Sequence, residues 1–185
     1  MNYQPVPLDK AYLLLNHGPT IMISSALEDK QNIMSAAWST ALDFDPPKLV
    51  VIIDKNNYSK ELIQASGEFA VIIPSKAQAK QVLQVGTSTG REIDKFKTFG
   101  LTTLPSQTIK APLIQGSLAA LECKLIPEPY NQDKYDLYIG EVTAAWADPE
   151  VFSHGRWHIT SDQKRSIHYQ AGGTFFQIGD QFTVG

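Results

Sequence analysis

The chain has 185 residues, 16 Lys and Arg against 19 Asp and Glu, a net charge of −3, an isoelectric point near 5.8 and 43% hydrophobic residues. That balance excludes intrinsic disorder and lacks the basic footprint of a nucleic-acid binder. The longest uninterrupted apolar runs, such as residues 49–53 and 69–73, hold five residues each, against the roughly 20 of a membrane-spanning helix, so neither a nucleic acid nor a membrane is expected as a partner.

Domains commonly hold about 100–200 residues, so one domain over residues 1–185 is expected. Residues 20–27, 33–42 and 49–53 predict strands, punctuated by Asp45-Pro46-Pro47 and Lys55-Asn56-Asn57. A helix follows over 58–66, where Asn57 can accept from the unpaired N–H groups of the first turn and Gly67 can take the left-handed conformation that ends it. Residues 69–73 predict a buried strand. Ser75 and Gln78 have the spacing of a capping box, and Ala79, Val82, Leu83 and Gly86 recur at i, i+3, i+4 and i+7, so a second helix spans 76–85 and stops at Gly86. Further on, Ala119, Leu121, Cys123 and Leu125 alternate with Ala120, Glu122 and Lys124, the period of a half-buried strand. Cys123 falls on the apolar phase, which predicts an inert buried thiol. Asp133-Lys134 is expected in a turn before a strand at 135–146, and residues 174–178 and 181–184, joined by Gly179-Asp180, predict a closing hairpin. A mainly β fold with a few helices results.

Several motifs fail. Residues 86–91, Gly-Thr-Ser-Thr-Gly-Arg, lack the Lys-Ser/Thr of a phosphate loop and follow a helix, and no G-x-G-x-x-G follows a strand. His154 and His158 stand four apart, but no Glu follows the first and Gly155-Arg156-Trp157 is poor helix, so no metal site is expected. No G-x-S-x-G elbow supports a hydrolase. A lone cysteine excludes an internal disulfide, and Met1-Asn2-Tyr3-Gln4-Pro5 carries no secretory pattern, so a cytoplasmic setting is expected.

Four stretches in order carry a resemblance: residues 32–50, Asn-Ile-Met-Ser-Ala-Ala-Trp-Ser-Thr-Ala-Leu-Asp-Phe-Asp-Pro-Pro-Lys-Leu-Val; 57–62, Asn-Tyr-Ser-Lys-Glu-Leu; 89–96, Thr-Gly-Arg-Glu-Ile-Asp-Lys-Phe; and 168–175, His-Tyr-Gln-Ala-Gly-Gly-Thr-Phe. Over residues 19–178 they resemble the flavin reductase-like, FMN-binding split-barrel family, the group that includes flavoredoxin. The resemblance implies a split β-barrel with peripheral helices, FMN as cofactor and a homodimer with the flavin beside the subunit interface. It implies an FMN-dependent NAD(P)H:flavin oxidoreductase, in which hydride passes from a nicotinamide to flavin N5 and electrons go on to a second flavin, an acceptor protein or oxygen. A flavoredoxin-like electron carrier without nicotinamide turnover is the alternative, and a non-catalytic module holding flavin or another flat ligand is a third reading. Hydride chemistry belongs to the cofactor, so no catalytic side chain is assigned.

The residues themselves agree with that implication. Ser35, Ala36 and Ala37 are small enough to bring a flat ring against backbone N–H and C=O groups, although ordinary small core residues on a strand have the same pattern. Asn57, Tyr58, Ser59 and Lys60 place an amide, a hydroxyl and an ammonium at the start of a helix, whose dipole attracts a phosphate; a plain cap with solvated neighbours is the alternative. By resemblance, Ser39 or Thr40 completes that cradle, and strand alternation lets only one of them point inward. By resemblance also, Lys95 is the basic residue near the FMN phosphate, with Asp94 or Arg91 holding its loop, and His168 belongs to a late segment near the flavin. Lys95 otherwise reads as a solvent-facing lysine on a short helix, and Trp38 either flanks the ring or fills core.

Overall fold

A computed structural model describes residues 3–14 and 18–185; residues 1–2 and 15–17 of the expected domain lie outside the described residues. In chain order the strands are β1 (Gln4–Pro5), β2 (Ile21–Leu27), β3 (Lys30–Ala36), β4 (Ser39–Phe44), β5 (Pro47–Ile52), β6 (Glu68–Ile73), β7 (Thr103–Leu104), β8 (Leu113–Ile114), β9 (Ala119–Ile126), β10 (Leu137–Ala147), β11 (Phe152–Ser153), β12 (Arg156–Trp157), β13 (Ile167–Ala171) and β14 (Thr174–Gln177). The α-helices are α1 (Tyr58–Ser66), α2 (Ala79–Gly86), α3 (Lys95–Thr98) and α4 (Pro129–Tyr135). One antiparallel sheet runs in the order β3-β2-β6-β9-β10-β5-β4, with β1 beside β10. This is the mainly β split barrel with peripheral helices that the sequence leads one to expect. No helix among the described residues is long and apolar enough to cross a membrane.

The predicted strand over 33–42 is two strands. Ala36 of β3 pairs with Ile21 of β2, whereas Ser39 of β4 pairs with Val51 of β5, at the far end of the sheet. The chain turns the corner at Ala37-Trp38, where the Trp38 carbonyl accepts the Ile52 N–H at 3.1 Å. Period-two patterning runs through the corner unchanged, so it cannot register the switch of sheet ends.

The alternation in β9 is as predicted, but the strand is covered on both faces. Leu121 and Cys123 join one core with Ile23, Phe69, Val71 and Tyr138, while Ala120 joins a second with Met22, Ile33, Ile72, Val82 and Val85. Glu122 on the second face is fully buried. Its carboxylate accepts the N–H groups of Gln107 at 2.9 Å and Thr108 at 2.6 Å, the Thr108 hydroxyl at 2.7 Å and the Trp146 indole N–H at 2.8 Å. A buried carboxylate persists only with such a full donor set. Cys123 is also fully buried, and burial, then the nearby Glu122, pushes its thiol pKa well up, as suits an inert side chain.

Two predictions near the end of the chain are corrected. Asp133 and Lys134 lie in α4, which begins at Pro129, a residue well suited to a first helical position, and ends at Asp136 with φ 53°. The closing hairpin joins β13 to β14 through Gly172-Gly173, whose φ values of 58° and 83° fit a tight primed turn; residues 181–184 form no strand.

Gly140 of β10 marks the tightest packing between sheet and core: a Cβ there would lie 2.6 Å from Phe69 Cζ and 3.0 Å from Cys123 Cβ. Gly140→Ala is expected to cost about 1–3 kcal/mol through overpacking, lowering the thermal midpoint by about 2–4 °C per kcal/mol. An unchanged midpoint in thermal denaturation would refute this packing account.

Candidate functional site

Two clefts share the end of β3 as a wall. The larger, of about 560 Å³, is lined by residues that include Trp38, Ile52, Asp54, Asn57, Tyr135 and Asp136. The smaller, of about 250 Å³, is lined by residues that include Thr20, Val82, Leu83, Gly86, Thr87 and Phe175. Ser35, Ala36, Ala37 and Tyr169 line both.

The ladder shows what that shared wall offers. β3 pairs with β2 on one side only. Lys95 Nζ donates to the Ile33 carbonyl at 2.9 Å, so the amide groups of Ile33 face away from β2. Backbone groups of alternate residues in a strand point the same way, so those of Ser35 lie on the same free edge, and Ala37 follows at the bend just past β3, at the clefts both residues line. The Ser35 hydroxyl is already spent on the Val82 carbonyl of α2 at 2.5 Å. The helix approaches so closely that a Cβ on Gly86 would stand 3.3 Å from Ser35 Cβ. Ser35 therefore presents backbone rather than side chain.

The other residues named from sequence separate into three groups. Trp38 is 73% exposed at the rim and fills no core. Ser39 turns its Oγ inward, buried and without a protein partner, while the exposed Thr40 donates its hydroxyl to the Ala41 carbonyl at 3.2 Å. Asn57 precedes α1 but makes no capping bond with its side chain, contrary to expectation, and contributes to the larger cleft.

Tyr58 and Ser59 do not converge with Asn57, because consecutive helical residues are turned by about 100°. Ser59 is fully buried and its Oγ accepts from Asn32 Nδ2 at 3.0 Å. Tyr58 lines a neighbouring cleft beneath Arg91, whose guanidinium lies 5.0 Å from the ring centroid. Arg91 also forks onto Glu61 at 3.0 and 2.6 Å, and this bonding holds the Glu61 carboxyl below its ordinary pKa. Arg91 thus pins the loop to α1. Lys60 stays half-buried on the first turn. Gly90 completes this junction: a Cβ there would sit 2.1 Å from Asn32 Oδ1.

Lys95 is not solvent-facing. It is 4% exposed, and its ammonium donates to the carbonyls of Ile33 and Val85 at 2.9 and 2.7 Å. Burial pulls its pKa down to about 8. Asp94 caps α3 by accepting the Lys97 N–H at 3.1 Å. His168 stands opposite Phe176 in the terminal hairpin, and its neighbours Tyr169 and Gln170 supply cleft wall.

Sequence reasoning missed Tyr169 and Phe175. Their rings meet edge-on, 5.3 Å apart and inclined by 60°, and the Tyr169 N–H donates to Thr20 Oγ1 at 2.7 Å. The Gly172-Gly173 turn was the available signal, since it sets Tyr169 opposite Phe175. Leu83 and Thr87 of the smaller cleft carried no local signal. No group of three or more His, Cys, Asp or Glu is placed to hold a metal among the described residues.

Comparison with known proteins points the same way. The family model described as "Flavin reductase like domain" matches residues 14–166. The FMN-binding domain of a flavin reductases-like enzyme from Shewanella baltica OS155 superposes with a TM-score of 0.97 at 44% identity, covering 100% of this chain and 98% of that one. An uncharacterised protein, YddH, of Escherichia coli K12 is 39% identical over 184 residues, 98% of this chain and 97% of its own length. The flavoredoxin of Desulfovibrio vulgaris (Miyazaki F) gives a TM-score of 0.79 at 25% identity over 90% of each chain.

The buried ammonium makes a prediction about pH. An unfolded lysine keeps its proton to about pH 10.5, whereas folded Lys95 releases it at about 8. Between those values the unfolded state binds more protons, so stability rises with pH. Relative to Lys95→Met, the wild-type protein is expected to gain stability between pH 8 and 10 in urea denaturation. Parallel curves for the two proteins would refute a buried charge here.

Proposed function

The chain belongs to the family of flavin reductase-like domains, and we propose that it holds FMN along the free edge of β3 and works as an FMN-dependent NAD(P)H:flavin oxidoreductase. The observation that carries this reading is the free backbone edge of β3 at Ser35, opening onto clefts whose wall has no side chain larger than a serine at positions 35–37. A flat heterocycle needs that combination of small side chains and directed N–H and C=O groups. The unspent donors fit as well: the Asn57 amide carries no capping bond, and the buried Ser39 hydroxyl has no protein partner.

When bound, FMN supplies hydride acceptance and the release of electrons. The backbone groups of Ser35 and Ala37 orient the polar edge of the ring. Tyr169 and Phe175 exclude water from one side of the wall. Asn57, the first N–H groups of α1 and Lys60 hold the phosphate through donors and helix dipole. The carboxylates of Asp54 and Asp136, which line the same cleft, are acceptors suited to the hydroxyls of the ribityl chain. His168 stays a residue of the wall's supporting hairpin.

A second copy of the chain completes the proposal. Trp38, just before β4, and Leu42 and Phe44 on it are 73%, 52% and 65% exposed at the last strand of the sheet, and an apolar stripe on an edge strand suits burial in a homodimer beside the larger cleft.

The test is an absorbance spectrum after FMN addition and desalting, followed anaerobically by NADH and then NADPH. Retained flavin bands that bleach with a nicotinamide are expected. Retained bands that bleach only with dithionite point to an electron carrier, and loss of all flavin on desalting overturns the cofactor assignment. Lys60→Ala is expected to weaken FMN binding by about tenfold, the size of one lost charge-assisted contact; full FMN occupancy of that variant at sub-micromolar protein would remove Lys60 from the phosphate site.

A further inference from the structure

Lys95 is a buried cation with an unusual pair of partners. Among the described residues no carboxylate lies within ion-pair distance of it, and both of its hydrogen bonds go to backbone carbonyls. An ammonium taken out of water without a counter-charge is costly even when hydrogen-bonded. Neither carbonyl requires a charged donor to be satisfied: Ile33 lies on a strand edge and Val85 among the last carbonyls of α2, positions that water or a neutral side chain serves in most proteins. What the ammonium does that a hydroxyl or a water does less firmly is to hold those two groups at a fixed separation.

That separation matters because each carbonyl belongs to an element that walls the smaller cleft, β3 through Ser35 and α2 through Val82, Leu83 and Gly86. Ile33 is two residues before Ser35 on β3, and Val85 directly precedes Gly86 on α2. The two elements have a second tie, from the Ser35 hydroxyl to the Val82 carbonyl at 2.5 Å. The two ties are three residues apart on the helix and two apart on the strand, hence about 4.5 Å of helix rise against about 6.7 Å of strand. The contacts therefore cannot repeat in register, and the lower one needs a spacer. Lys95 supplies it.

We propose that Lys95 is a positioning residue: its ammonium is a strut between the free edge of β3 and the C-terminal end of α2 that sets the width of the slot in which the flavin ring lies. The proposal rests on the reading that the ring occupies this slot, between Ala36 and Ala37 on one side and Leu83 and Gly86 on the other. Lys95 touches neither cofactor nor substrate in this role and acts through the two backbone segments it joins.

The experiment uses full-length protein with two readouts, the FMN dissociation constant from quenching of flavin fluorescence and amide hydrogen exchange of the apoprotein. Lys95→Met keeps the stem and removes both donors. The expected result is an FMN dissociation constant raised by about tenfold, with faster exchange at residues 35–37 and 82–87 and unchanged exchange in β9 and β10. Affinity within about twofold of wild type, or unchanged exchange in those two segments, overturns the proposal. Should Lys95→Met fail to fold, Lys95→Arg is read instead: it keeps charge and donors on a longer head, so a strut predicts weakened FMN binding, and wild-type affinity overturns it. Leu83→Trp fills the slot and leaves Lys95 intact. Loss of FMN is expected there, whereas retained affinity shows that the ring lies elsewhere and overturns the placement on which the strut depends.

Discussion

β3 has a hydrogen-bonding partner on one side only, and the rest of the molecule is arranged around the unpaired edge this leaves. Backbone N–H and C=O groups must be met by something, and exposed strand edges invite unwanted pairing. Here the edge is divided. Its lower part is taken by the Lys95 ammonium, and the Ser35 hydroxyl anchors α2 alongside. Ser35 opens where the strand meets the clefts, with Ala37 at the bend beyond it. A flat ligand can thus use amide groups that the sheet itself leaves unpaired.

The surrounding elements keep that edge in place by polar contacts, some of them buried, as well as by apolar packing. Asn32 of β3 donates to Ser59 of α1, and Gly90 leaves room for the Asn32 side chain. Arg91 covers Tyr58 and forks onto Glu61, tying the loop after α2 to the same helix. On the far side, Thr20 bonds the Tyr169 N–H and so fixes the terminal hairpin beside the cleft. Deeper in the sheet, Glu122 and Glu68 gather the backbone of residues 107–110, Glu122 through Gln107 and Thr108 and Glu68 through the Lys110 N–H. Low local dielectric strengthens each satisfied bond and makes each broken one costly, so such networks fix one arrangement over its near alternatives.

Much of this was legible in the residues. The helix at α1, its Gly67 terminator with φ 71°, the strand at β6 and the apolar phase of Cys123 all follow from local periodicity and cap chemistry. The small residues at 35–37 marked the wall. The phosphate group of residues was less legible, because 57–60 read as one cradle in sequence but point to different sides of a helix: Ser59 into Asn32, Tyr58 under Arg91, Asn57 into the cleft. The strand at 33–42 and the hairpin at 181–184 were misread for a related reason, since alternation describes a strand but not its partner.

By itself the sequence determined the fold class, the family and the chemistry the wall can offer, because these depend on residue types within reach along the chain: small side chains, turn residues and a helix start. Only the tertiary structure decided which backbone groups are open. That Lys95 reaches back 62 residues to Ile33 and that Tyr169 lies 149 residues from its Thr20 anchor are long-range facts. Whether an amide is paired depends on which distant segment arrives beside it, and local sequence carries no trace of that arrival.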